Sequence, residues 1–240
     1  MKKLLFILFL FPMAGFGQSI GYLQASFETA GIGVMSGFTM TAGRLYIFIV
    51  GTSNAGGTPA TISLTGTGQT WTQIGTAGGA LNTTSGKRVQ AFRFAPGSNN
   101  TNQVDFNISG TQDGMWAIIY EITNVLVTGT NGSDGVVQVV TGSDNATIHP
   151  SITMASLQSR ATVLTGWIND INPNSGAAES GWSEHFDTGY STPTTGCYTM
   201  YRINTTDNTP SWAEGGGLFS NWAGIAIELA PSGRRSSIIN

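Results

Sequence analysis

Oxygen-bearing side chains stand at alternate positions in the stretch "NDINPNSG", which begins at Asn169. Asp170, Asn172 and Asn174 supply carboxylate and amide oxygens, and Ca²⁺ binds such ligands together with backbone carbonyls. The twelfth place of a calcium loop that starts at Asp170 is Gly181, where such a loop has Glu. The stretch therefore predicts either a calcium site or a turn whose Asn, Pro and Gly residues suit its backbone angles.

A second kind of site is indicated by aromatic residues in polar, glycine-containing stretches. Trp212 lies in "NTPSWAEGGG", and we expect an exposed indole there that stacks on a sugar ring. Glu214 beside it would accept hydrogen bonds from sugar hydroxyls. Tyr190, in "DTGYSTPTTG", is a second candidate for stacking. The alternative is a Trp212 ring that folds back onto the protein and is buried.

Catalytic groups are sparse. Glu184, His185 and Asp187 lie close in sequence, but neighbouring residues of a strand point to opposite faces, so we expect His185 to face away from Glu184. Glu121 and Glu228 occupy matching places in two similar strands, where we expect a solvated strand end that pairs with Arg or caps a turn. We expect no enzymatic activity, and a carbohydrate-active enzyme is the less favoured alternative.

Composition limits the partners. Charged residues make up 10% of the 240 residues and the net charge is −3, which argues against nucleic acid as a ligand. Cys197 is the single cysteine, so an intramolecular disulfide is excluded. Hydroxyl and amide side chains instead supply much of the polar surface, as is frequent in secreted β proteins.

The N-terminus has the pattern of a secretory signal. Two lysines precede the apolar run "LLFILFLF", which is too short to span a bilayer, and Gly15 and Gly17 are the small residues expected before a cleavage site. We predict a signal peptide at residues 1–17, cleavage before Gln18 and no later membrane span. The product would be secreted or held at the cell surface or in the periplasm. The alternative is an N-terminal strand in a chain that is not exported.

One phrase occurs twice in the chain. "MWAIIYEI" begins at Met115 and "NWAGIAIEL" begins at Asn221. Three further matches occur in the same order, so the four matched pairs are Arg44 with Arg160, Trp71 with Trp182, Phe92 with Tyr201, and Trp116 with Trp222. Four matches in one order indicate an internal duplication, and the spacing is far longer than the repeats of solenoid proteins.

The duplicated segments read as strands, with apolar runs and period-two alternation between turn residues. We predict an all-β protein, an antiparallel β-sandwich built from two pseudo-symmetric halves, residues 20–127 and 136–231. The two half-sheets would pack face to face in one domain, residues 18–231, followed by a flexible tail, residues 232–240. Two sandwiches in tandem are the alternative. The matched Trp residues are expected to be core, with Trp116 and Trp222 as equivalent anchors of a closing strand.

Three motifs resemble the jelly-roll sandwiches of the concanavalin A-like kind that occur in secreted bacterial and phage-encoded proteins. They are "GWSEHF", "CYTMYRI" and "NWAGIAIELAP", and the resemblance extends from about Ile20 to Pro231. It implies a binding or structural role and carries over no catalytic residue. We therefore expect an exported, non-enzymatic binding or adhesion module that recognises a surface glycan. The alternative is a structural subunit of a phage virion or surface assembly, whose partners are copies of itself.

Overall fold

A computed structural model describes residues 18–28, 32–101, 103–145, 149–170, 176–191, 194–214 and 221–231 of the chain. The predicted signal peptide and the predicted C-terminal tail lie outside these residues. Within them, one 3-10 helix, Thr130–Gly135, accompanies eighteen β-strands, so the all-β prediction is confirmed. Among the same residues, no helix is long and apolar enough to cross a membrane.

The first half of the chain forms a large antiparallel sheet and a small sheet over its outer face. Its strands are β1 (Ser19–Glu28), β2 (Val34–Met35), β3 (Thr39–Met40), β4 (Leu45–Ser53), β5 (Thr61–Thr65), β6 (Thr72–Ile74), β7 (Ala80–Asn82), β8 (Lys87–Phe94), β9 (Asn100–Thr101), β10 (Val104–Ser109) and β11 (Gly114–Thr123). The large sheet has the order β1-β11-β4-β8-β6, and β7 also pairs with β8. The small sheet has the order β2-β10-β5, while β3 pairs with β9.

The second half repeats the large sheet. Its strands are β12 (Val136–Asp144), β13 (Ala161–Asn169), β14 (Gly176–Ala178), β15 (Ser183–Ser191), β16 (Thr194–Thr205), β17 (Trp212–Glu214) and β18 (Trp222–Leu229). The large sheet has the order β12-β18-β13-β16-β15, and β14 pairs with β17 outside it. In chain order and in neighbours, these five strands take the places of β1, β11, β4, β8 and β6, so the duplication is visible in the topology.

Three hydrophobic cores separate four layers. The central core lies between the two large sheets and combines residues of both halves, such as Ile49 and Ile225. One outer core lies between the first large sheet and the small sheet, and the other covers the outer face of the second large sheet. The β-sandwich is therefore confirmed, but it has outer layers that the sequence analysis did not predict. They are needed because β4, β13 and β18 are buried along their whole length, on both faces.

Equivalent residues of the two halves touch at the centre of the sandwich. Ile49 pairs with Ile118 in the first large sheet, and Gly166 pairs with Ile225 in the second. A Cβ atom on Gly166 would lie 2.6 Å from Cγ2 of Ile49, so only glycine fits opposite this isoleucine. Contact between two equivalent positions is what an approximate two-fold axis between the halves produces.

The two copies of the repeated phrase differ by one residue. Glu121 pairs with Tyr46 on β4, and Glu228 pairs with Val163 at the equivalent place on β13. Trp116 precedes its Glu by five residues, whereas Trp222 precedes its Glu by six. A shift of one residue turns a side chain to the other face of a sheet, so Trp116 lies in the central core and Trp222 in an outer core. Both are buried as predicted, but the expectation that they are equivalent is wrong.

A glutamine amide fastens each outer layer to its large sheet. Oε1 of Gln90 accepts a hydrogen bond from the Ile62 backbone N–H (2.8 Å), and Nε2 of Gln90 donates to the Ile62 carbonyl (3.1 Å). Gln138 makes the same two bonds with the backbone of Ala155, at 3.1 and 3.3 Å. In both places the side chain replaces a neighbouring strand, and at Ile62 it satisfies buried backbone groups that would otherwise be unpaired.

Candidate functional site

The candidate glycan anchor Trp212 is core. Its side chain is 0% exposed, and its ring centroid lies 4.7 Å from that of Tyr198 in the outer core of the second half. Trp212 pairs with Ala178 between β17 and β14, and its backbone N–H donates to the Pro150 carbonyl (3.0 Å). These strand contacts hold the indole against the large sheet, so the expectation of an exposed Trp212 is wrong. Glu214 ends β17 and Tyr190 lies in β15, but their side chains are outside the described part of the structure.

Of the three candidate calcium ligands, Asp170 alone is described, and Asn172 and Asn174 lie outside the described residues. Nδ2 of Asn221 donates to Oδ2 of Asp170 at 2.6 Å. Burial lowers the pKa of the nearby Lys87, while Asp113 and Asp170 act in the opposite direction. Asp170 thus already interacts with an amide and an ammonium group. No cluster of three His, Cys, Asp or Glu side chains occurs among the described residues, and the calcium site stays a prediction.

The duplicated glutamates are structural in the described conformation. Glu121 accepts a hydrogen bond from the Tyr46 hydroxyl at 2.6 Å and forms a salt bridge with Arg44, so the predicted pairing with Arg is confirmed for this residue. Glu228 is fully buried, so the expectation of a solvated strand end is wrong for this residue. It accepts hydrogen bonds from Nε2 of Gln138 (2.6 Å) and from the backbone N–H of Gln158 (2.8 Å), and thereby ties an outer segment to the second large sheet.

A cluster of polar aromatic rings lies on the side of the sandwich where β1 faces β15. We call the four residues of this cluster, Tyr22, Tyr120, His185 and Tyr201, the aromatic seam. The His185 ring centroid lies 4.4 Å from that of Tyr201, 5.5 Å from that of Tyr120 and 5.6 Å from that of Tyr22. The seam joins the halves, because Tyr22 and Tyr120 belong to the first and His185 and Tyr201 to the second.

Two β-bulges bring the rings of the seam together. The β1–β11 pairing shifts register between Tyr22 and Gln24, and the β15–β16 pairing shifts between Glu184 and Phe186. His185 is the extra residue of the second bulge. It stacks on Tyr120, while the next residue, Phe186, stacks on Trp116. Two consecutive side chains thus face the central core, which regular alternation does not allow but a bulge does.

On the opposite side of the sandwich, aliphatic side chains occupy the positions that are equivalent to those of the seam. Tyr22 pairs with Tyr120 in the first large sheet, whereas Val139 pairs with Ile227 at the equivalent place in the second. Val139 packs closely on the β6 side, since a Cβ atom on Gly75 would lie 2.8 Å from its Cγ1. Aliphatic side chains therefore close one side of the duplicated structure, and phenol and imidazole groups occupy the other. Packing alone does not require this difference.

The seam is partly open to solvent and partly buried. The Tyr22 side chain is 53% exposed, while the hydroxyl of the buried Tyr120 donates to Oγ1 of Thr199 at 2.5 Å. Nδ1 of His185 is buried and has no hydrogen-bond partner among the described residues. Burial lowers the pKa of His185 and raises that of Tyr120. The exposed Tyr22 thus offers solvent an aromatic face and a phenolic hydroxyl, while the Tyr120 hydroxyl and Nδ1 of His185 are buried.

Sequence reasoning did not single out this site. Tyr22 lies in a strand without a distinctive motif. For His185, the motif "WSEHF" predicts only side chains that alternate between the two faces of a strand. The signal that was available is the mismatch between the repeats, where tyrosine stands in one half and an aliphatic residue in the other. It can be seen only once the strand register is known.

The fold and the seam define an all-β sandwich protein with a partly exposed aromatic cluster between its halves. Comparisons of the chain with protein family models, with curated proteins and with solved structures give no match.

Proposed function

We propose that the protein is an exported, non-enzymatic β-sandwich that binds a surface glycan at the aromatic seam. The observation that carries this proposal is the exposed ring of Tyr22, held against the imidazole of His185. Sugar rings present a face of C–H groups that packs on aromatic rings, while their hydroxyls need hydrogen-bonding partners at the margin. The exposed Tyr22 supplies a ring face together with a phenolic hydroxyl.

The charge distribution favours a neutral carbohydrate. Arg202, the neighbour of Tyr201 in sequence, pairs with Asp207 on the other side of the sheet. The side chains that form the seam carry no charge when His185 is neutral, and the whole chain has a net charge of −3. These four residues offer no positive charge that would attract an acidic glycan. A neutral glycan does not depend on such an attraction.

Two features of the sequence support export and surface recognition. The signal-peptide pattern of residues 1–17 supports export, to the outside of the cell, the cell surface or the periplasm. The resemblance to concanavalin A-like jelly-roll sandwiches supports a role in surface recognition. Export and surface recognition are therefore both parts of the proposed function.

A glycan array tests the proposal directly. The chain that starts at Gln18 is expected to bind a restricted set of neutral glycans, and the heat-denatured chain serves as the control. Binding confined to acidic glycans, with loss at moderate salt, would contradict the proposed site, because electrostatic attraction is screened by salt. The absence of binding to any glycan would contradict the proposed function.

Burial of Trp212 favours a second candidate, a structural subunit of a virion or surface assembly. The tryptophans of the second half are buried in one outer core, which contains Trp167, Trp182, Trp212 and Trp222. A rigid, multilayered sandwich suits a building block whose partners are copies of itself. Closed rings or filaments in electron micrographs of the purified chain would support this candidate, and a monomer at high concentration would contradict it.

A further inference from the structure

The halves meet at the aromatic seam through side chains. β1 and β15 belong to different large sheets, so the contact between these two edge strands rests on packing such as that between Tyr22 and His185. His185 lies at the centre of this contact because its ring touches tyrosines from β1, β11 and β16. A change at this one imidazole therefore acts on both halves.

The surroundings of His185 suit a neutral imidazole. Nδ1 is buried without a partner among the described residues. A proton on Nδ1 would be a charged donor with no acceptor in a ring-lined site, and a buried charge of this kind is costly. Turning out into water lowers the free energy of the protonated side chain. Tyr22 then loses its contact with the second half.

Three tyrosines of the seam surround His185. Among the described residues, the rings that face His185 are those of Tyr22 from β1, Tyr120 from β11 and Tyr201 from β16. Burial raises the pKa of Tyr120. On β15 itself, Glu184 pairs with Met200 and Asp187 pairs with Tyr198. Met200 and Tyr198 lie in the outer core, so the two carboxylates lie on the face of the sheet away from His185.

We propose that the aromatic seam is a pH-sensitive latch, in which protonation of His185 in mildly acidic solution separates β1 from β15. The lowered pKa of His185, caused by burial, places this change below pH 6.5, the ordinary value for histidine. The ligand part of this inference rests on the proposed function. If the glycan contacts Tyr22 only in the closed seam, acid releases it, with affinity falling up to about tenfold per pH unit once His185 titrates.

Nuclear magnetic resonance of the chain from Gln18 tests the latch without any ligand. The pH is lowered from 8 to 4.5, and the His185 ring signals and the backbone amides of residues 20–25 are followed in the wild type and in His185→Gln. We expect the wild-type amides and the His185 ring to titrate together, with a midpoint below 6.5. In His185→Gln, whose amide stays neutral, the amides of residues 20–25 should not follow this titration.

The outcomes separate the latch from the proposed function. Amides of β1 that ignore the His185 titration, or that titrate equally in His185→Gln, overturn the latch. Should His185→Gln fail to fold, the wild-type ring and amide curves still decide, because differing midpoints overturn it. The array glycan is then titrated at pH 7.5 and 5. A latch that opens while glycan affinity stays constant leaves the latch intact and overturns the placement of the glycan on Tyr22.

Discussion

The indole of Trp116 occupies the space next to Gly51, the residue directly opposite it on β4. A Cβ atom on Gly51 would lie 1.8 Å from Nε1 of Trp116. The same arrangement occurs in the second half, where Gly224 lies opposite Trp167 and a Cβ atom would come within 2.3 Å of its ring. Each half thus makes room for one tryptophan by a glycine on the neighbouring strand, on the inner face in one half and on the outer face in the other.

Gly51→Ala should destabilise the protein. The added methyl group displaces the Trp116 ring from the central core, and overpacking of this kind costs about 1–3 kcal/mol. Gly97→Ala is the matched control, because a Cβ atom there meets nothing within 4 Å. Denaturant unfolding of both variants measures the effect, and equal stability of the two would show that the core around Trp116 is loosely packed.

Trp212→Ala should be as damaging as Trp116→Ala. Both rings are fully buried, and loss of a buried large aromatic costs about 3–5 kcal/mol. Tyr22→Ala, at a side chain that is 53% exposed, should cost about 1 kcal/mol or less. A thermal or denaturant melt ranks the three variants. A Trp212→Ala variant with near wild-type stability would restore the exposed indole that the sequence suggested.

The sequence predicts the fold better than the site. The alternation of apolar and polar residues, the turn residues and the four ordered matches between the two halves are sufficient to predict an all-β sandwich. The first match is Arg44 with Arg160 and the last is Trp116 with Trp222. They do not reveal the outer layers, because a strand such as β4 reads as one apolar run whether one or both faces are covered. They also misplace Trp222, because the face on which a strand residue lies depends on a register that changes with a single residue.

Gln90→Leu should loosen the first outer layer. Leucine has a similar size but leaves the backbone N–H and carbonyl of Ile62 buried without partners, at a cost of about 2–4 kcal/mol. Gln103→Leu is the control, since this glutamine is exposed and its side chain bonds to Asp105. Hydrogen exchange should rise at residues 61–65 in Gln90→Leu and stay unchanged in Gln103→Leu. Unchanged exchange in both variants would mean that Gln90 does not hold the small sheet.

The candidate site was hidden from the sequence for a physical reason. Tyr22 and His185 meet because each of two edge strands carries a bulge, and a bulge adds one residue without a distinctive sequence pattern in either strand. Trp212, in contrast, stands among glycine and polar residues that suggest a loop. Its pairing with Ala178 draws it into the core, and long-range pairing of this kind cannot be read from neighbouring residues.

Protein stability should fall in mild acid because of His185. Burial lowers the pKa of His185 in the folded state, so the unfolded chain takes up the proton first, near pH 6.5. The contribution of His185 is complete above pH 6.5 and decreases as the pH falls from there towards the folded-state pKa. The free energy of unfolding, measured from pH 8 to pH 5, should fall less steeply in His185→Gln. An identical slope in the two proteins would contradict the buried neutral imidazole.

The most direct measurement is a calorimetric titration of Tyr22→Ala with the glycan that the wild-type protein binds at pH 7.5. Val34→Ala is the matched control, because Val34 is 47% exposed and lies on β2, away from the seam. Loss of the stacking ring should weaken binding by about tenfold or more, equivalent to about 1.4 kcal/mol or more, while Val34→Ala binds as the wild type does. Wild-type affinity in a folded Tyr22→Ala variant would contradict glycan binding at the aromatic seam.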